Sequence, residues 1–172
     1  MALPIALDDL NRMDANAFTA ALAQVFEHAP WVAARAAAKR PFASRAALHD
    51  AMKDAVSAAS DAEQMALIRG HPELAGKAAV RRELTVDSSN EQSGAGLTQC
   101  SPEEFALLTD LNRRYHAKFG FPFILAVKGH DRASVIREFA RRVEQDRVAE
   151  FAECLAQIAR ITRFRLEALV TG

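Results

Sequence analysis

Between Val148 and Leu169 the inward positions recur in steps of three and four: Val148, Phe151, Leu155, Ile158, Thr162, Arg165 and Leu169. A seam of that period is one face of a long α-helix covered by other elements along its length. Thr162 and Arg165 are its only polar members, whereas Arg160 and Arg163 fall off the stripe. The same period recurs upstream. Asp14 is placed to cap a helix carrying Phe18, Leu22, Val25 and Phe26 on one face. Pro30-Trp31 interrupts it, and a short Ala-rich helix follows up to Lys39. Ser44 caps the next, with Leu48, Met52, Val56 and Ala59 inward. Ser60 and Glu63 have capping-box spacing, and Gly70 ends the helix they open. Ser101-Pro102 with Glu104 starts a helix through Phe105, Leu108, Asn112, Tyr115 and Phe119 that Gly120 stops. Asp131 caps another through Val135, Ile136, Phe139 and Val143.

Only Phe121 to Val127 could form a strand, and a single strand has no partner. The run therefore reads as an extended connector, with Pro122 holding Phe121 out of helical geometry. The spacing predicts an all-α chain, residues 1–172 forming a single domain of seven or eight irregularly packed helices. Seven glycines and six prolines in 172 residues agree with that.

Charge and cysteine usage narrow the function classes. Twenty-two basic and twenty-two acidic residues give zero formal charge, which argues against a general nucleic-acid binder. No apolar run approaches a membrane span. The N-terminus lacks the features of a signal peptide, and the C-terminus is not a peroxisomal signal. Cys100 and Cys154 lie far apart without metal-ligand spacing, as expected of a reduced, cytoplasmic protein. No metal site is expected. His28, His49, His116 and His130 fall on exposed faces or turns, and the Arg141-Arg142 pair reads as helix surface.

Residues 71 to 100 have the weakest periodicity, and long irregular stretches in compact domains tend to carry function. The segment opens with His71-Pro72 directly after Gly70. Further on, Ser88, Glu91 and Gln92 cluster within five residues. Taken alone, Ser88 and Glu91 have the spacing of a helix cap, and His71 reads as a loop residue. Arg165, on its apolar seam, either snorkels to water or meets a carboxylate, which its planar fork grips in a bidentate manner.

Three blocks read together weigh these alternatives differently: HPELAGK, SSNEQSGAGL and LNRRYHAKFGFPFILAVKG. In order and spacing they resemble the 2-oxo-4-hydroxy-4-carboxy-5-ureidoimidazoline (OHCU) decarboxylases of urate breakdown, over nearly the whole chain. The resemblance implies a cofactor-independent carboxy-lyase, a homodimer, producing (S)-allantoin. It implies His71 and Glu91 as catalytic residues. Pro72, Ser88, Gln92, Phe123, Ile124 and Arg165 would bind substrate, with Ser89 a lower-ranked alternative to Ser88. The backbone around Phe123 and Ile124 is expected to offer its polar groups to the pocket, because an extended segment leaves them unused. Two alternatives remain: a paralogue acting on another ureido acid, and a helical interaction module without chemistry.

Overall fold

A computed structural model of the chain describes residues 3–74 and 86–172, with side chains from 90 onward in the second segment. Among the described residues there are nine α-helices: α1 (Leu7–Arg12), α2 (Ala15–Leu22), α3 (Pro30–Ala37), α4 (Arg45–Ser57), α5 (Asp61–Arg69), α6 (Val86–Gly94), α7 (Pro102–Phe119), α8 (Arg132–Val143) and α9 (Arg147–Leu169). A 3-10 turn spans Leu97–Gln99, and two short strands, β1 (Ile5–Ala6) and β2 (Val170–Thr171), pair in parallel. The all-α expectation holds. The helix count exceeds expectation chiefly because six-residue α1 is too short to show a periodic stripe, and two-residue strands show no alternation at all.

The helix starts follow the capping chemistry. Asp14 accepts from the N–H groups of Asn16 and Ala17, and Ser44 accepts from Ala47 N–H. Full capping boxes form at Ser60–Glu63, Ser101–Glu104 and Asp131–Ser134. Each satisfies amide donors that the first turn would otherwise leave unmet. Gly120 closes α7 at φ 75°, a left-handed geometry that a Cβ would strain, and returns its N–H to His116 O at 2.9 Å.

The chain forms two compact units, Met1–Gly70 with Ala159–Gly172, and His71–Ile158. In the first, the core is built from Leu10, Phe18, Leu22, Val32, Ala36, Leu48 and Met52, all fully buried. Arg45 Nη1 donates to Val170 O at 2.9 Å and Glu167 O at 3.2 Å, tying α4 to the end of α9.

In the second unit, the core gathers around the connector 121–127, every residue of which is buried and none in a helix or strand. Burying irregular backbone demands partners for its amides. Side chains from two helices supply them. Arg142 Nη1 donates to Ile124 O at 2.5 Å, and Gln157 Oε1 accepts from Ala126 N–H at 3.0 Å. Arg142 is itself held by Glu150, with Nη2 at 2.5 Å and Nε at 2.9 Å from Oε1, both side chains fully buried. The guanidinium lies over the Phe123 ring, 4.4 Å from its centroid. Glu150 also accepts from Tyr115 Oη and, at 2.8 Å, from Gln145 Nε2. Burial alone would draw the Arg142 pKa down, but the hydrogen bond and charge of Glu150 hold it above its usual value. Burial raises the Tyr115 phenol and pushes the Cys154 thiol up to about 11, so both keep their protons near neutrality.

Four expectations are corrected by this packing. Arg142 is not helix surface, although Arg141 is, paired with half-buried Glu138 at 2.8 Å. Val148 is 82% exposed, because Asp146 caps α9 immediately before it and the buried face begins only at Glu150. That face continues through Cys154, Gln157, Ile158, Thr162 and Arg165, so Glu150 and Gln157 join Thr162 and Arg165 as its polar members. His49 is buried rather than exposed, its Nε2 3.1 Å from Thr162 Oγ1.

Two measurements follow from these buried polar groups. Arg142→Ala leaves Glu150 charged and uncompensated in the core, with a loss of about 3–5 kcal/mol in urea unfolding expected. Arg141→Ala, one position away, is expected to cost less than about 0.5 kcal/mol. For His49, burial, with Lys53 nearby, lowers the pKa below the usual imidazole value. The unfolded chain then binds a proton that the folded chain resists, so stability is full above about pH 6.5 and falls below it. His49→Asn should flatten that acid-side fall in unfolding midpoint against pH; an unchanged slope would remove His49 as its source.

Candidate functional site

The residues singled out in the sequence divide between the two units, and each group has its own surroundings. In the second unit, His71 follows α5 and Gly70 at a bend and is 6% exposed. Pro72 and Glu73 are half-buried and Leu74 is buried. Two amide side chains tie this segment down. Gln92 Nε2 donates to Glu73 O at 3.4 Å, and Asn112 Nδ2 donates to Leu74 O at 2.9 Å. These bonds satisfy carbonyls that a bend following a helix would otherwise leave to water. His71 is thus a buried imidazole on a fixed turn rather than a solvated loop residue.

Glu91 and Gln92 lie on α6, Glu91 half-buried and Gln92 buried. The helix begins at Val86, so Ser88 and Glu91 sit within it and not at its opening cap. The capping interpretation of that pair is therefore set aside. The side chains of Ser88 and Ser89 lie outside the described residues, and so does the segment 75–85, including the rest of the HPELAGK block.

Phe123 and Ile124 belong to the connector, and here the expectation of unused backbone is corrected in part. Ile124 O is engaged by Arg142, and the Ile124 backbone also hydrogen-bonds the Cys154 thiol. Helix α7 links this segment to the His71 turn. It offers Asn112 to Leu74 and, three residues on, packs Tyr115 edge-on against Phe123 with centroids 5.4 Å apart. Residues three apart share a helix face, so a single rigid element positions two of the three sequence blocks. Asn112 was legible only as a member of the α7 stripe. An Asn on an otherwise apolar face is the signal that could have marked it as a backbone anchor.

In the first unit, Arg165 is 8% exposed on the inner face of α9, as the seam predicts. It does not snorkel to water. Its carboxylate partner within the chain is Glu27, with Nη2 3.5 Å from Oε1 and side-chain exposures of 6% and 1%. Arg160 and Arg163 are exposed, and Arg163 pairs with Glu167 at 2.9 Å across one helical turn. Nothing in the sequence singled out Glu27, whose neighbours Phe26 and Ala29 read as core while it reads as an ordinary surface acid. Among the described residues, no group of three or more His, Cys, Asp and Glu side chains is placed to hold a metal ion.

Chemically, the second unit supplies a buried imidazole on an anchored turn, with a half-buried carboxylate and a buried amide side chain on α6, and the first unit supplies a buried guanidinium. Such groups handle protons and bind anions or amides.

Comparison with known proteins is consistent with these features. The family profile described as OHCU decarboxylase matches residues 11–167. The Haloferax volcanii protein named 2-oxo-4-hydroxy-4-carboxy-5-ureidoimidazoline decarboxylase is 38% identical, the match covering 94% of each chain. The uric acid degradation bifunctional protein PucL of Bacillus subtilis is 42% identical over 96% of this chain but only 33% of its own length. This chain thus spans about a third of that bifunctional relative and nearly all of the Haloferax volcanii one. Among solved structures, an (S)-allantoin synthase superposes with a TM-score of 0.76 at 26% identity, covering 98% of this chain and 54% of the other. A second, an OHCU decarboxylase crystallised in the presence of (S)-allantoin, shares the fold, with a TM-score of 0.67 at 19% identity.

Proposed function

The chain belongs to the OHCU decarboxylase family, and from that premise we propose that it converts OHCU to (S)-allantoin in urate breakdown, residues 1–172 working as one decarboxylase domain. The observation that carries the reading is the buried His71 on its anchored turn, in the sequence block that the resemblance singles out. We also assign it to the cytoplasm as a homodimer. Its two thiols are free, and no helix among the described residues is long and apolar enough to cross a membrane.

The substrate carries its own electron sink. The carbon that bears the carboxylate also bears a hydroxyl and adjoins an imine carbon. When the bond to the carboxylate breaks, carbon dioxide leaves and the electron pair forms a double bond to the former imine carbon. The imine π pair moves to its nitrogen, which takes a proton, giving an enol. The enol hydroxyl then releases its proton as the carbonyl forms, and the neighbouring carbon gains one. The net change consumes one proton and releases carbon dioxide. Delivery of that last proton to one face sets the S configuration.

His71 handles the hydroxyl proton, because an imidazole exchanges protons near neutral pH. Glu91 orients His71 and crowds the scissile carboxylate by like-charge repulsion. Ser88 and Gln92 hold ureido or ring amides, the Gln92 Nε2 also donating to Glu73 O. Pro72 stiffens the turn, Phe123 and Ile124 line the substrate's surroundings, and Arg165 binds an anionic or carbonyl oxygen. Ser88 takes its role from the resemblance alone.

Spontaneous decay of OHCU yields racemic allantoin, whereas facial protonation yields one enantiomer. During urate oxidation coupled to urate oxidase and hydroxyisourate hydrolase, circular dichroism should report S-allantoin only when this protein is added. Racemic product at the uncatalysed rate would leave a different ureido acid, or no chemistry, as the function. Residue roles have their own test. Arg165→Ala should reduce kcat/KM by an amount equivalent to about 2–5 kcal/mol, and Arg163→Ala by less than about 0.5 kcal/mol. His71→Asn should nearly abolish turnover while leaving the helical circular dichroism unchanged.

A further inference from the structure

We propose that Glu27 is a positioning residue for the reaction: its buried carboxylate sets the orientation in which Arg165 presents its guanidinium to substrate. This rests on the reading of Arg165 as a substrate-binding residue. Three observations in the first unit support it. Glu27 is 2% exposed overall, although a lone carboxylate is among the least tolerated groups in a protein interior. Its charge is placed against the inward-facing arginine of α9, and not against either of the exposed arginines, Arg160 and Arg163. The backbone that delivers it is constrained immediately after it. His28 follows with φ 57°, a left-handed conformation uncommon outside glycine.

The contact itself is informative. At 3.5 Å, the pair is longer than the 2.7–2.9 Å usual for a charge-assisted hydrogen bond. Arg142 and Glu150, in contrast, meet at 2.5 Å. The longer contact still compensates the buried charge of Arg165 while gripping it less tightly than Glu150 grips Arg142. Glu27 thereby sets direction without competing on equal terms with a substrate oxygen.

A purely structural pair would behave differently when cut, and the experiment uses that difference. Glu27→Gln keeps volume and hydrogen-bonding capacity while removing the charge. It is expected to raise KM about tenfold with kcat changed less than about threefold. In the Arg165→Ala background the same substitution should alter kcat/KM by less than about twofold, since nothing is left to orient. Glu27→Asp keeps the charge but withdraws it by one methylene, with a smaller KM rise expected; it also serves as the readout should Glu27→Gln fold poorly. A lower melting temperature with unchanged KM would show that the pair is structural only, and so overturn the proposal. A KM effect that persists in full without Arg165 would overturn it as well. Wild-type protein that yields no S-allantoin would instead sink the decarboxylase reading, a distinguishable outcome.

Discussion

The pairing of Arg142 with Glu150 is the interaction on which the second unit depends. Seven consecutive buried residues, 121–127, run through its core with no helix or ladder to satisfy their amides. Arg142 reaches Ile124 O, but a fully buried guanidinium is tolerable only because Glu150 neutralises it and Phe123 covers its face. Glu150 is in turn saturated by Tyr115 and Gln145. Replacing such a pair with apolar residues is often thermodynamically harmless in other proteins. Here it would also strip the connector of a hydrogen-bond partner, so the pair specifies a conformation and is not merely a source of stability.

That network explains how a connector without helix or strand can be buried among the helices around it. Tyr115 joins it to α7, and Asn112 on the same helix holds the turn that carries His71. Packing a candidate acid/base on a bend ordinarily invites looseness, because bends expose backbone to water. Hydrogen bonds from Gln92 and Asn112 to consecutive carbonyls counter this. The turn that carries the imidazole is then anchored by side chains on α6 and α7.

How far this was legible in the sequence depends on the kind of signal. Caps at Asp14, Ser44, Ser60, Ser101 and Asp131 were readable because a short polar side chain next to a periodic run has one common structural meaning. The inward turn of Thr162 and Arg165 was readable from their spacing alone. Arg142, Glu150, His49 and Glu27 were not. Each is a polar residue whose burial is decided by a partner distant in sequence, and periodicity carries no information about partners. Val148 failed in the opposite direction, as an apolar residue in the first turn of α9 where no element covers it. The identities of His71, Glu91 and Gln92 as site candidates came from the combination of three blocks, not from local pattern.

The pairing of Ile5 with Val170 and Ala6 with Thr171 has a practical consequence. Backbone near the two ends of the chain is fastened side by side, within one strand spacing of about 4.8 Å. A short linker could therefore join the ends, and new termini could be opened at an exposed turn elsewhere, with the same helices rebuilt in a different chain order. Because the two strands run parallel, chain attached ahead of Ile5 and chain attached after Thr171 would start from neighbouring points on this unit but head in opposite directions. The order of a gene fusion would therefore decide which way the second protein projects.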